Sequence, residues 1–258
     1  MPKLQRRTLL LSALLLVSSS ACGELVDLID GDSEATVRFF ATHAGTPGAD
    51  GFPDYGDSLT TRVFVNDMGW QLSLSELYVT TAEVRLVPCA ASSGTAIEMF
   101  WGACPEDFIS TDDRESLPLG AVTMIDGDYC SVDVTFAPFV EPAESSDHNN
   151  PSNPMITDNT ILITGVARRG EGSNLEEVPF EIVSDATITA RADISKIDSG
   201  GPFTLFEENF ARDLTILKTY DSFFAGIDFA TATPADIEAA VLASLELDTR
   251  IYDGNEVF

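Results

Sequence analysis

Positive charge is what this chain has least of. Only 14 lysines and arginines stand against 42 aspartates and glutamates in 258 residues, a formal net charge of −28. Nucleic acid and bare anionic lipid need a basic face to bind, so both are excluded as partners. Histidine is scarcer still, with only His43 and His148. The four cysteines form no Cys-x-x-Cys pair, which removes a thioredoxin-like centre and c-type haem attachment. Gly-x-Ser-x-Gly, His-Glu-x-x-His, a phosphate-binding glycine loop and a dinucleotide fingerprint are all missing. The chain therefore carries none of these hydrolase, zinc-protease or nucleotide-enzyme signatures. Carboxylates are too numerous for any pair to single out a glycosidase. No catalytic residue is assigned, and the chain is read as a non-enzyme. A hydrolase with an unrecognised carboxylate site is the distant alternative.

What is present begins at the N-terminus. Lys3, Arg6 and Arg7 precede an apolar run at 9–17, followed by Ser19, Ser20, Ala21 and Cys22. As a helix the run would cover ~14 Å, against ~30 Å of bilayer hydrocarbon, so it is too short to span. A basic tip, an apolar centre and small residues ending at a cysteine resemble a bacterial lipoprotein signal peptide. The resemblance implies cleavage before Cys22 and acyl chains on it, which would hold the protein in a bilayer. Gly23 follows where an aspartate would argue for inner-membrane retention, so the outer membrane is the expected address. Residues 1–21 are then the signal, 22–34 an acidic tether and 35–258 a single domain. Loss of the three basic signal residues leaves 11 of the 14 basic side chains against 42 acidic ones, a net charge of −31.

An exported chain meets an oxidising compartment, and three cysteines remain besides Cys22. One disulfide and one spare thiol follow. Cys130 shares a phase with Val132, Val134 and Phe136, and Cys89 closes another apolar strand. Cys89–Cys130 is therefore expected over Cys89–Cys104.

Alternation with period two dominates the rest. Val37 and Phe39 flank Arg38. Tyr78, Thr80, Ala82, Val84 and Leu86 share one phase of a long strand. Residues 130–136 and 186–193 repeat the pattern, 214–217 is a late strand, and 161–166 is apolar on both faces apart from Thr164 and Gly165, as in a central strand. Strands rich in Val, Ile, Thr and Phe, with no helical patterns between them, predict an all-β antiparallel sandwich, Ig-like or jelly-roll-like. One short C-terminal helix interrupts this. Thr233 is placed as its N-cap, Pro234 as its first residue and Asp236 as the acid of a capping box, with Ile237, Val241 and Leu245 as the apolar stripe. Trp70 and Trp101 read as core aromatics. In the segment 223–229, Gly226 suits a turn and Asp228 can accept from nearby backbone N–H groups.

Long Pro-, Gly-, Asp- and Asn-rich stretches at 44–59 and 138–158 read as loops, and 102–120 as a third irregular stretch. If the first two gather at one end, His43, His148 and Asp147 can ligate copper or zinc. Two separate solvated histidines are the plainer outcome. Calcium is a second option, through Asp50, Asp54 and Asp57, or Asp126 and Asp128, though none forms an EF-hand loop.

The segment 72–86, with Leu72-Ser-Leu-Ser-Glu-Leu-Tyr78-Val-Thr-Thr-Ala-Glu-Val-Arg-Leu86, resembles a strand of the MbnP-like periplasmic β-sandwich family. The segment 214–229, ending Phe-Phe-Ala-Gly-Ile-Asp-Phe, resembles that family's closing strand and turn. The resemblance covers about 30 residues by its two short motifs. It implies an exported sandwich and a histidine-based copper site. With two histidines this chain departs from that site. The reading is thus a membrane-anchored binding module for a metal ion, small ligand or partner protein, with a copper-handling protein as the alternative. The partner protein or ligand is left unnamed by the sequence.

Overall fold

A computed structural model describes residues 34–44, 62–109, 116–141, 150–206 and 211–254. Two sheets face each other, as the alternation predicts. One has the order β14-β13-β1-β7-β5, from β1 (Glu34–Ala44), β5 (Glu98–Met99), β7 (Leu117–Ile125), β13 (Ala211–Thr219) and β14 (Arg250–Asp253). The other follows β10-β9-β3-β8-β11, from β3 (Gln71–Pro88), β8 (Gly127–Phe136), β9 (Ile161–Arg169), β10 (Glu176–Ser184) and β11 (Ile188–Asp193). Short strands β2 (Arg62–Val65), β4 (Thr95–Ala96), β6 (Cys104–Asp107) and β12 (Phe203–Leu205) pair with its members. Among the pairs in named strands, β1 with β13 is parallel and the rest are antiparallel. The stretch at 102–120, read as irregular, supplies β6 and the start of β7.

Alternation places the core. Ala35, Val37, Phe39 and Ala41 of β1 are buried against Leu214 and Ile216 of β13 and the apolar side chains of the facing sheet. Arg38 points the other way and holds Asp213 through two hydrogen bonds of 2.6 and 2.8 Å.

The long strand β3 departs from the simple pattern. Register shifts lie between Leu74 and Glu76 and between Thr81 and Glu83. An inserted residue reverses which face the following side chains point to. Leu72 and Leu74 enter the main core, then Leu77 and Val79, then Val84 and Leu86. Tyr78 therefore does not share a face with Val84. It joins Phe139, Ile156 and Leu162 in a second, smaller cluster. Doubly paired residues order the two edges of β3. Tyr78 faces Leu162 of β9 and Asp107 of β6, and Thr81 faces Phe136 of β8 and Cys104 of β6. Thus β9 and β8 follow one another along one edge, and β6 lies on the other.

The chain crosses between sheets at 95–99. There β4 pairs with β3, and β5 pairs with β7. The crossing is tight. A Cβ on Gly94 would collide with the Leu86 carbonyl, and one on Gly120 with the Glu98 carbonyl. Nearby, Cys89 and Cys130 are joined, as expected, and Cys104 is a buried thiol outside the disulfide. One detail differs: a register shift between Val87 and Pro88 puts Tyr129 into the core and leaves Cys130 half-buried.

The helix α1 (Pro234–Asp248) forms with the predicted cap. Thr233 and Asp236 bond each other's backbone N–H groups. Its buried side chains Ile237, Val241, Ser244 and Leu245 pack toward β10, β11, β13 and a 3₁₀ turn at Ser222–Phe224. Among the described residues no helix is long and apolar enough to cross a membrane.

Candidate functional site

The inward stripe of β1 ends in a polar residue. After Val37, Phe39 and Ala41 the next inward position is His43, and its parallel partner in β13 is Lys218, which follows Leu214 and Ile216 in the same phase. From the facing sheet, β6 directs Glu106 at both. His43 Nδ1 lies 2.8 Å from Glu106 Oε1, and Lys218 Nζ lies 2.5 Å from Glu106 Oε2. All three residues are 1% exposed. Phe108, two residues beyond Glu106, stacks on the imidazole at 4.2 Å and an interplanar angle of 10°.

Burial alone would push the Glu106 carboxyl up. The Lys218 ammonium and the His43 hydrogen bond outweigh it and hold the carboxyl below the usual range. An ionised carboxylate only accepts hydrogen bonds, so His43 donates to it from Nδ1–H. A carboxylate behind one imidazole nitrogen is the arrangement that orients metal-ligating histidines and raises their basicity. Cys104 precedes Glu106 in β6. Burial, then Glu106, push its thiol up to about 12, with Lys218 opposing. It stays protonated at neutral pH and is no nucleophile.

The other face of β6 carries a second polar group. Tyr78 donates its hydroxyl to Asp107 at 3.0 Å and lies 2.6 Å from Ser152 Oγ. Asn153 donates to Glu76 at 2.7 Å, and Thr164 donates to the same carboxylate. These bonds moor residues 152–153 to β3. Adjacent positions of β6, Glu106 inward and Asp107 outward, thus anchor polar groups on both faces.

Of the sequence candidates, His43 is the one in this cluster, and it is buried rather than solvated in a loop. His148, Asp147, Cys22, Asp50, Asp54 and Asp57 lie outside the described residues. Asp128 accepts from Thr204 at 2.9 Å. Among the described residues no three His, Cys, Asp or Glu side chains converge as a metal-binding group. Trp70 is fully buried, donates from Nε1 to Asp228 at 2.9 Å and lies under the Arg169 guanidinium at 4.3 Å.

Glu106 and Lys218 escaped the sequence reading. Phase was the available signal for Lys218, which continues the inward positions of Leu214 and Ile216. Glu106 had no such signal, because four-residue β6 sits in a stretch without alternation.

No family model matches this chain, and no curated protein matches it. Among solved structures, MbnP from Methylosinus trichosporium is similar at 12% identity, covering 86% of this chain and 99% of that one, with a TM-score of 0.36. A likeness at that level carries no argument for function.

Proposed function

We propose that this chain is an exported, lipid-anchored binding module, not an enzyme, and that it takes a copper or zinc ion at the His43 end of the sandwich. The observation that carries the metal reading is the buried His43–Glu106 bond. Glu106 holds Nδ1 as the donor and orients the ring, so that Nε2 is the nitrogen a borderline metal would take. His148 and Asp147 are the proposed additional ligands. Imidazole suits copper and zinc, whereas calcium takes oxygen ligands. Anchoring rests on the sequence around Cys22.

Elemental analysis of metal-loaded, desalted protein tests the reading. One copper or zinc per chain is expected, lost in His43→Ala and weakened in His148→Ala. Stoichiometric binding of neither metal by the unaltered protein overturns it. Cys22→Ser is expected to release the protein from membranes. A variant that remains membrane-bound refutes the lipid anchor and leaves the metal reading standing.

A further inference from the structure

Lys218 and Glu106 form an unusual pair for a different reason. Both are 1% exposed, and they reach each other from opposite sheets, Lys218 from β13 and Glu106 from β6. Glu106 Oε2 and Lys218 Nζ lie 2.5 Å apart, in direct ionic contact. Two charged groups have been taken out of water, a cost that their mutual attraction has to offset. The other carboxylate oxygen, Oε1, is bonded to His43. Apolar surroundings complete the site: the Phe108 ring centroid is 5.9 Å from Nζ, and Phe108, Phe223 and Tyr220 are themselves buried.

From this geometry we propose that Lys218 and Glu106 condense to an intramolecular isopeptide bond, a covalent tie between the two sheets. The step balances without a co-reactant. One proton passes from Nζ to Oε2. The freed amine lone pair adds to Glu106 Cδ, and the charge that develops on Oε1 meets the His43 Nδ1–H already donating to it. The C–Oε2 bond then breaks, and Oε2 leaves as water with a second proton from the nitrogen. An N–C bond forms, a C–O bond breaks, and nothing is oxidised or reduced. The ion pair is the resting reactant, and the reaction runs through its minor neutral form.

Three features favour the product. Held contact replaces a bimolecular encounter, where effective molarities on the order of 10⁵–10⁸ M are reached in well-oriented systems. The amide carries no charge, so the desolvation cost of the pair disappears. Oε2 is expelled as water, and Nζ keeps one buried N–H instead of three. The retained oxygen is the one His43 holds. His43 acts here as a positioning residue, and the bond does not depend on any metal.

Tryptic mapping of the denatured, reduced, full-length protein tests the proposal. The expected product is a branched peptide joining the Glu106 segment to the Lys218 segment, lighter by one water than its two parts. Trypsin should fail to cut after Lys218, so the linear peptide 213–218 should be absent. Stoichiometric recovery of that linear peptide, with an unlinked Glu106 peptide, overturns the proposal. The decision is read on the unaltered chain, so it survives any variant that does not fold. Glu106→Gln is expected to yield a branched peptide of the same mass, by loss of ammonia instead of water, and Glu106→Ala to yield none. In a refolding time course, His43→Gln is expected to slow formation of the link at least tenfold. An unchanged rate would remove His43 from the proposal.

Discussion

At the scale of single residues, position in a strand's phase decides more than residue type. His43 reads as a loop histidine if the strand is ended one residue early. Carried one step further, the alternation of Val37, Phe39 and Ala41 puts it indoors, and an indoor histidine needs a partner. The partner was hidden because Glu106 lies among proline and cysteine rather than in a clean alternation. Asp228 shows the opposite case. The sequence assigned it to accepting backbone N–H groups in a turn. It does accept from Ala230, and Gly226 before it has the positive φ of 75° that a glycine supplies there. The larger influence is the Trp70 Nε1–H bond, and with Ala230 and Arg169 it holds the Asp228 carboxyl below its usual range. A lowered folded value means stability that is complete above the unfolded carboxylate pKa of about 3.9 and lost as pH falls through the lower folded value. Asp228→Asn should therefore be less stable than the parent at neutral pH, with the gap closing in acid. Denaturant midpoints across pH 2–7 (about the carboxylate range) measure this; a gap that stays constant with pH would disprove the role.

At the scale of elements, two devices were invisible in the sequence and one was plain. The helix was plain because its start is chemical: Thr233, Pro234 and Asp236 are a local code that needs no tertiary partner. Thr233→Ala should cost about 1 kcal/mol in denaturant unfolding, the usual loss on removing an N-cap acceptor. The bulges of β3 were not legible, because an extra residue changes the phase without changing the composition. The sheet crossing at 95–99 was equally hidden, since its strands are two residues each. Its cue is steric. Gly120→Ala would force a methyl against the Glu98 carbonyl and should destabilise by about 1–3 kcal/mol, the range for overpacking a close contact. Equal stability of Gly120→Ala and parent would mean that β5 need not lie so close to β7.

At the scale of the whole molecule, the sandwich followed from period two, while the mixed sheet did not. Alternation says which face a strand buries, but not which neighbour it takes, so the parallel β1–β13 pairing had no signature. Charge was legible from the outset. A net charge of −28 repels itself across the surface, and this repulsion weakens as salt shortens the Debye length from about 30 Å at 0.01 M to about 8 Å at 0.15 M. Raising sodium chloride over that range should increase the thermal midpoint. An unchanged midpoint would mean that the acids are locally balanced, as Arg38–Asp213 and Arg191–Asp133 are.

The position of β1 also sets an order of events in time. It is flanked on one side by β7 and on the other by β13, so the first described strand must wait for one of the last before its row of backbone groups is filled. Pairings so distant in sequence are slow to form, because loop closure precedes any return in contacts. A chain emerging N-terminus first cannot complete this sheet while its tail is still being delivered. Until β13 emerges, the buried stripe that ends in His43 lacks its closing neighbour, and the growing chain remains open to whatever escorts it.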